Sequence, residues 1–308
     1  MAFKIHIVKI TFKALDELSL PTFSGSSFRG VFGHSLKNLS CLNLNDDCNR
    51  CQFTEACIYS RIFESSGEKM DTHPIFGSNS NIPHPYIIKS EGGGNIPQGM
   101  EFNVKLVIFG EFINWSQYIF KAFQNAGKNG VGKGNKKFEL ISIKDDNTGK
   151  LIYKAGNWLG AVNTIDITSK LFSDFLDKVE IKYVTPLRII KKKKLVENLS
   201  INIFFNEASR RIQMLNHYYG DKTELYNYNE LKNVLLRAKI NSNLKMLSFN
   251  RYSNRQNKFI PISGLTGNII FSDLEAPLPG LLNCLQFIGL GKGTVHGLGQ
   301  FQILNVKG

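Results

Sequence analysis

Gly130-Val-Gly-Lys-Gly134 and Gly289-Leu-Gly-Lys-Gly293 differ at one position in five and lie in opposite halves of a 308-residue chain. Each follows a helical apolar pattern, Trp115 to Phe123 and Pro279 to Ile288, and each precedes an alternating strand, Phe138 to Ile143 and Phe301 to Val306. A five-residue match is too short to prove duplication, but its structural context repeats with it. Working outward, Phe3, Ile5 and Ile7 alternate, then Val8, Ile10 and Phe12 alternate in the opposite register, which predicts a strand with a bulge near Ile7 and Val8. Ser26 or Ser27 can cap a helix from Phe28 to Leu39, and Phe102 to Phe109 alternates again. Prolines and glycines between Pro74 and Pro97 predict loops with at most short strands.

The second half repeats the order. A strand from Val179 runs into Thr185-Pro186-Leu187-Arg188. Ile201, Phe204, Phe205, Ala208, Ile212 and Leu215 then share one helical face, and a second helix is expected over Asn229 to Lys239. Strands flank expected turns at Gly264 and Gly267. Both halves fit a β-α-β-β-α-β unit. The expected fold is therefore α+β: tandem ferredoxin-like (RRM-like) domains, residues 1–165 and 166–308, joined somewhere between Leu159 and Lys178. A cysteine-rich insertion at 41–57 falls in the first domain, and the glycine-rich loop 289–299 in the second.

A chain of this length suits two cores, and its 42% hydrophobic content excludes a disordered polymer. No apolar run approaches the 18 residues that mark a membrane helix, and Lys4, His6 and Lys9 interrupt the N-terminal apolar residues where a signal peptide needs a solid block. A cytoplasmic protein with no membrane partner is expected. The formal net charge is +13, from 38 Lys and Arg against 25 Asp and Glu, which favours a polyanion. Nucleic acid leads, with an anionic membrane surface or a generally basic proteome as the bland alternatives.

Gly127-Lys-Asn-Gly-Val-Gly-Lys-Gly134 nearly matches a nucleotide-binding P-loop, but Gly134 stands where Ser or Thr must hold magnesium. The helix-then-strand order is also the reverse of that motif. Clustered glycines instead bare backbone N–H groups to a phosphodiester chain. Lys128, Lys133, Lys136 and Lys137 surround the first loop. Gly289, Gly291, Lys292, Gly293, His296, Gly297 and Gly299 make the second. All are expected to contact RNA, although tight turns alone would also require glycine. The run Lys191 to Lys194 lies on an expected hairpin, where Lys191 and Lys192 meet RNA backbone or simply solvate a turn.

The segment GLGKGTVHGLGQFQI (residues 289–303) resembles the glycine-rich signature of the RAMP superfamily, the repeat-associated RNA-binding proteins of CRISPR systems. Ser27-Phe28-Arg29-Gly30-Val-Phe-Gly33-His34, Thr185-Pro186-Leu187-Arg188 and Ser209-Arg210-Arg211-Ile212 resemble its endoribonuclease branch, which processes precursor CRISPR RNA. That resemblance implies tandem ferredoxin-like domains and metal-independent cutting of CRISPR repeat RNA in the precursor transcript. It often implies a catalytic histidine in the first domain, and it puts Arg29 near RNA. Other CRISPR effector subunits are possible partners. The alternative is a non-catalytic RAMP subunit that only binds guide RNA in an effector complex; a zinc-containing RNA-binding protein outside CRISPR is a third reading.

His34 also stands out on its own. At 100° per residue, Phe28, Val31, Phe32, Leu36 and Leu39 share one face of the helix, and His34 lies opposite with Gly30, Lys37 and Asn38. An exposed incidental histidine would show the same pattern. Gly30 and Gly33 weaken a helix, and close approach of RNA is one reason to have them. Attack of a ribose 2′-hydroxyl on its phosphate yields a 2′,3′-cyclic phosphate and a 5′-hydroxyl. It needs a base, an acid and positive charge. His34 can move a proton, and Lys37 can offset developing charge. His6, His84 and His296 compete for the second proton role. No cofactor is needed for catalysis.

Cys41, Cys48, Cys51 and Cys57 fall within 17 residues. Four thiolates suit a closed, structural zinc site. Reduced cysteines, an iron–sulfur cluster or a redox disulfide remain open. Cys284, among Leu281, Leu282 and Leu285, is expected in the core. Asp46-Asp47 and Asp145-Asp146 read as turns, not metal sites.

Overall fold

The computed structural model describes residues 3–44, 48–64, 82–90, 92–160, 162–172, 177–253 and 258–307; Asp46, Asp47 and the start of the Pro74–Pro97 stretch lie outside them. The chain forms two compact units, Ile5–Ile165 and Met1–Lys4 together with Asp166–Gly308.

In the first unit the order is β1 (Lys4–Ala14), α1 (Gly25–Ser40), β2 (Tyr86–Ser90), β3 (Glu101–Phe109), α2 (Ser116–Asn129) and β4 (Phe138–Asp145). The strands stand in the spatial order β2-β3-β1-β4, every neighbour antiparallel. This is the ferredoxin-like order. Even-numbered residues of β1 face the helices: Phe12 stacks on Phe28 of α1 at 6.4 Å and meets Phe123 of α2 at 6.3 Å. Phe32 stacks on Phe123 at 4.8 Å, which closes the layer between the helices. The odd-numbered residues therefore lie on the opposite face of the sheet.

The second unit runs β5 (Lys178–Tyr183), α3 (Ile201–Tyr219), α4 (Tyr228–Leu235), β6 (Lys239–Ser253), β7 (Lys258–Ser272), α5 (Leu278–Ile288) and β8 (Phe301–Lys307). Its sheet order, β6-β7-β5-β8, repeats that of the first unit, again antiparallel throughout. Ser200 caps α3 by accepting from the Ile203 N–H, and Phe204 and Phe205 pack on Phe271 at 4.8 and 5.4 Å. Tandem ferredoxin-like domains are thus observed.

Several local expectations need correction. β1 carries no bulge at Ile7 and Val8. Both faces of the strand are buried there, so both alternations are apolar, and the register shift falls at Thr11/Phe12. The N-cap of α1 is Ser24, not Ser26 or Ser27, and Leu39 leaves the apolar face and is exposed. The helix expected to reach Lys239 ends at Leu235, because β6 begins at Lys239. Gly264 and Gly267 are not turns but interior positions of the 15-residue β7. At Gly264 the Pro186-Leu187-Arg188 segment leaves no room for a Cβ. At Gly267 φ is +131° and the Asn243 carbonyl lies against the α-carbon. Cys284 is fully buried, as expected, and its thiol donates to the Ile167 carbonyl.

Candidate RNA-processing site

In the second unit, two segments far apart in sequence are laced into one structure. The Thr185 hydroxyl donates to the Gly297 carbonyl at 2.8 Å and accepts from the Gln300 N–H at 2.9 Å. The Gly299 N–H donates to Pro186, and the Lys292 N–H to the Arg188 carbonyl at 2.7 Å. The tetrapeptide 185–188 is thus the floor under the glycine-rich loop. Gly289, Gly291, Gly293, Gly297 and Gly299 all have positive φ, and Gly289, Gly297 and Gly299 are buried. At Gly299 a Cβ would collide with the Leu290 carbonyl. These glycines answer first to the backbone, so their abundance alone does not argue for RNA. What the loop presents outward is Lys292, which is exposed.

Two arginines join this site that sequence reasoning did not single out. Arg251, on β6, donates from Nη1 to His296 Nε2 at 2.9 Å, so that ring nitrogen is an acceptor and carries no proton. The half-buried Arg188 side chain is desolvated enough to lower its pKa, and its Nε has no hydrogen-bond partner among the described residues. Lys192 and Lys193, with φ of 49° and 64°, make the tight turn expected of the basic run. Lys191, Lys192, Lys193 and Lys194 are all exposed, and Lys191 lies 3.8 Å from Glu207.

In the first unit His34 is exposed on α1, with Asn38 Nδ2 3.2 Å from its Nε2. Lys37 is half-buried, its ammonium 5.9 Å from the centre of the Tyr59 ring. Ser35, beside His34, accepts from Asn129 Nδ2 at 3.1 Å, and Asn129 ends α2 directly before the first glycine loop. That contact sets α1 beside the end of α2, with Lys128, and the loop carrying Lys133, Lys136 and Lys137, all exposed; Lys137 Nζ donates to the Asn129 carbonyl at 3.1 Å.

Gly33 has a different reason from the one expected. The Phe63 ring lies flat where its side chain would be. Arg29 likewise turns inward: its guanidinium sits 4.0 Å from the Phe63 ring centre and donates to His84 Nε2 at 3.1 Å. Phe63 stacks on Tyr59 at 5.2 Å, and the Tyr59 hydroxyl donates to Glu64 at 3.0 Å. The segment following the cysteines is thereby clamped onto α1 beside His34 and Lys37.

Two other histidines are desolvated. Burial, against the opposing pull of Asp145, lowers His6 to about 4. Burial and then the Arg29 charge lower His84 to about 4. Both are neutral structural groups near pH 7.

Cys41 caps the C-terminus of α1. Burial raises the Cys48 thiol, with Lys37 opposing and Glu64, Cys41 and Cys57 adding to the rise, so three of the four thiols are electrostatic neighbours. All four are half-buried and free, yet among the described residues no three metal-ligating side chains converge on one point.

Two ferredoxin-like domains, each with a glycine loop before its last strand and basic side chains around it, place the chain in the class of tandem ferredoxin-like folds. Comparison narrows the class. The family model AF_1859_N, an N-terminal domain, matches residues 3–166, and that of the CRISPR-associated endoribonuclease Cas6 matches residues 181–301. The chain belongs to the AF_1859_N family, and its second half is similar to the Cas6 endoribonuclease model. It is 24% identical over 311 residues to an uncharacterized protein of Archaeoglobus fulgidus, spanning 98% of this chain and 99% of that one. Among solved structures, a Cas6 product complex has TM-score 0.59 at 14% identity, covering 97% of this chain and 100% of that chain. Thermus thermophilus Cas6 has TM-score 0.55 at 12% identity, covering 99% and 100%. These likenesses bear on the fold. Among the described residues no helix is long and apolar enough to cross a membrane.

Proposed function

We propose that the chain cleaves CRISPR repeat RNA in the precursor transcript by internal attack of a ribose 2′-hydroxyl, leaving a 2′,3′-cyclic phosphate and a 5′-hydroxyl. The observation that carries this reading is His34: it is exposed on α1, next in sequence to the anchored Ser35, and within one turn of Lys37. The imidazole transfers a proton at the 2′-oxygen or the leaving 5′-oxygen, and Lys37 offsets charge that develops on the phosphorane. Proton transfer and positive charge suffice for this reaction, so cutting should persist in EDTA. A 2′-deoxy substitution at the cleaved position should abolish it.

His34→Ala should slow single-turnover cleavage by about 10²–10⁴-fold while RNA affinity changes little, because the group acts in the transition state. Near wild-type cleavage would move the role to another group, with His296 tested next. Loss of binding in step with cleavage would make His34 an anchor and favour a guide-RNA-binding subunit. Magnesium-dependent cutting that leaves a 3′-hydroxyl would sink the mechanism.

The four cysteines support a second proposal: one structural zinc per chain, held by Cys41, Cys48, Cys51 and Cys57 away from the chemistry. Metal analysis of protein purified without chelator should find it. Replacing Cys48 and Cys51 with serine should remove it and lower the melting temperature. Four freely titrating thiols with no metal would refute the site.

A further inference from the structure

The face of the first sheet that turns away from the helices is ordered row by row. Register places Ile87 opposite Val107 and Val107 opposite Ile7, an apolar row. Two residues along β1, Lys89 stands opposite Lys105, Lys105 opposite Lys9, and Lys9 opposite Lys144. The next row is neutral and polar, with Asn103, Thr11 and Ser142, and the Thr11 hydroxyl donates to Asn103 at 3.0 Å. In the row after that, Lys13 is flanked by Glu101 and Glu139.

The contrast between the two charged rows is informative. Like charges directly opposite one another destabilise a sheet, and opposite charges support it. The Lys13 row follows that rule; the Lys9 row breaks it across four adjacent strands. At a strand spacing of about 4.8 Å the four lysines make a line about 14 Å long. Lys105 lies 3.1 Å from Asp146. Burial and the Lys105 charge lower the Lys89 ammonium to about 7, against the pull of Asp146, so the row bears the expected cost. Lys9, Lys89 and Lys105 are half-buried and Lys144 is exposed.

We propose that this row is a phosphate track, binding the sugar–phosphate backbone of single-stranded RNA. The chemistry is sequence-independent: ammonium groups at regular intervals meet successive phosphates and release counterions. The assignment rests on the RNA-cleaving reading, but its test uses binding and stands apart from it.

The experiment measures affinity for repeat RNA and for an unrelated single strand across a salt series. Wild type is compared with Lys9→Gln/Lys144→Gln and with Lys13→Gln. The double variant should weaken both RNAs and flatten log affinity against log salt by about 0.7 per lost contact, whereas Lys13→Gln should leave the slope unchanged. Cleavage at saturating enzyme should stay near wild type. If the double variant does not fold, Lys144→Gln alone, at an exposed position, should remove one contact. An unchanged slope in a folded variant, or an equal loss with Lys13→Gln, overturns the track. Failure of the wild type to cut any RNA would overturn the cleavage reading and leave the slopes to decide this one.

Discussion

The two Gly-x-Gly-Lys-Gly loops begin alike and end in different surroundings. Gly130 and Gly289 each terminate a helix, their N–H groups donating to the Ala126 and Leu285 carbonyls, and φ is positive at all three glycines of both motifs. The first loop closes quickly, with the Val131 N–H donating to the Lys136 carbonyl, and residues 132–137 are exposed. The second closes from Leu290 to Gly299, which leaves room for the Thr294–His296 turn, and it is roofed onto the 185–188 floor. A shared backbone device thus carries a free basic tip in one domain and a buried scaffold in the other. Identical glycines can be worth very different amounts.

The largest effect should separate the loops by stability. Gly299→Ala combines a φ of +68° with a collision against a backbone carbonyl, so it should cost about 3 kcal/mol or more. Gly132→Ala has a φ of +69° but its nearest foreign atom is the Ser19 carbonyl at 3.7 Å, so only about 1–2 kcal/mol of strain is expected. Urea unfolding of both variants checks this, and equal losses would erase the distinction.

The smaller effect should show what the loops share. Lys133 and Lys292 occupy the same motif position and both are exposed. Replacing either with alanine should weaken RNA binding without sequence preference and lower the salt slope by up to about one unit. A slope lost only at Lys292, or only at Lys133, would assign the RNA contact to one loop. No change at either would leave both as structural turns.

Much of this was legible before any coordinates, for physical reasons that differ by residue. The repeated order of periods, 2 then 3.6, revealed two domains because helix and strand patterning is local. His34 could be placed on the outer side of α1 by helical geometry alone. The purpose of Gly33 could not, since Phe63 reaches it from a segment 30 residues away. Arg29 resembled an RNA contact in sequence, but His84 and Phe63 hold it inward. Gly264 and Gly267 imitated turns because a glycine admitted for close packing looks the same in sequence as one admitted for a bend. The lysine row was invisible because cross-strand register joins Lys9, Lys89, Lys105 and Lys144 only after the sheet has formed.

One detail of the chain path bears on how the protein is made. Phe3 is fully buried, and its carbonyl accepts the Ile167 N–H at 2.9 Å, so Phe3 belongs with the unit that is synthesised second. During vectorial synthesis the unit ending at Ile165 can fold as soon as it clears the ribosome. Phe3 must then wait for the rest of its own unit, on the order of ten to thirty seconds at about 5–20 residues per second. An apolar residue held without its partners for that interval is an opening for chaperones, and the second unit closes around a residue made before the first unit.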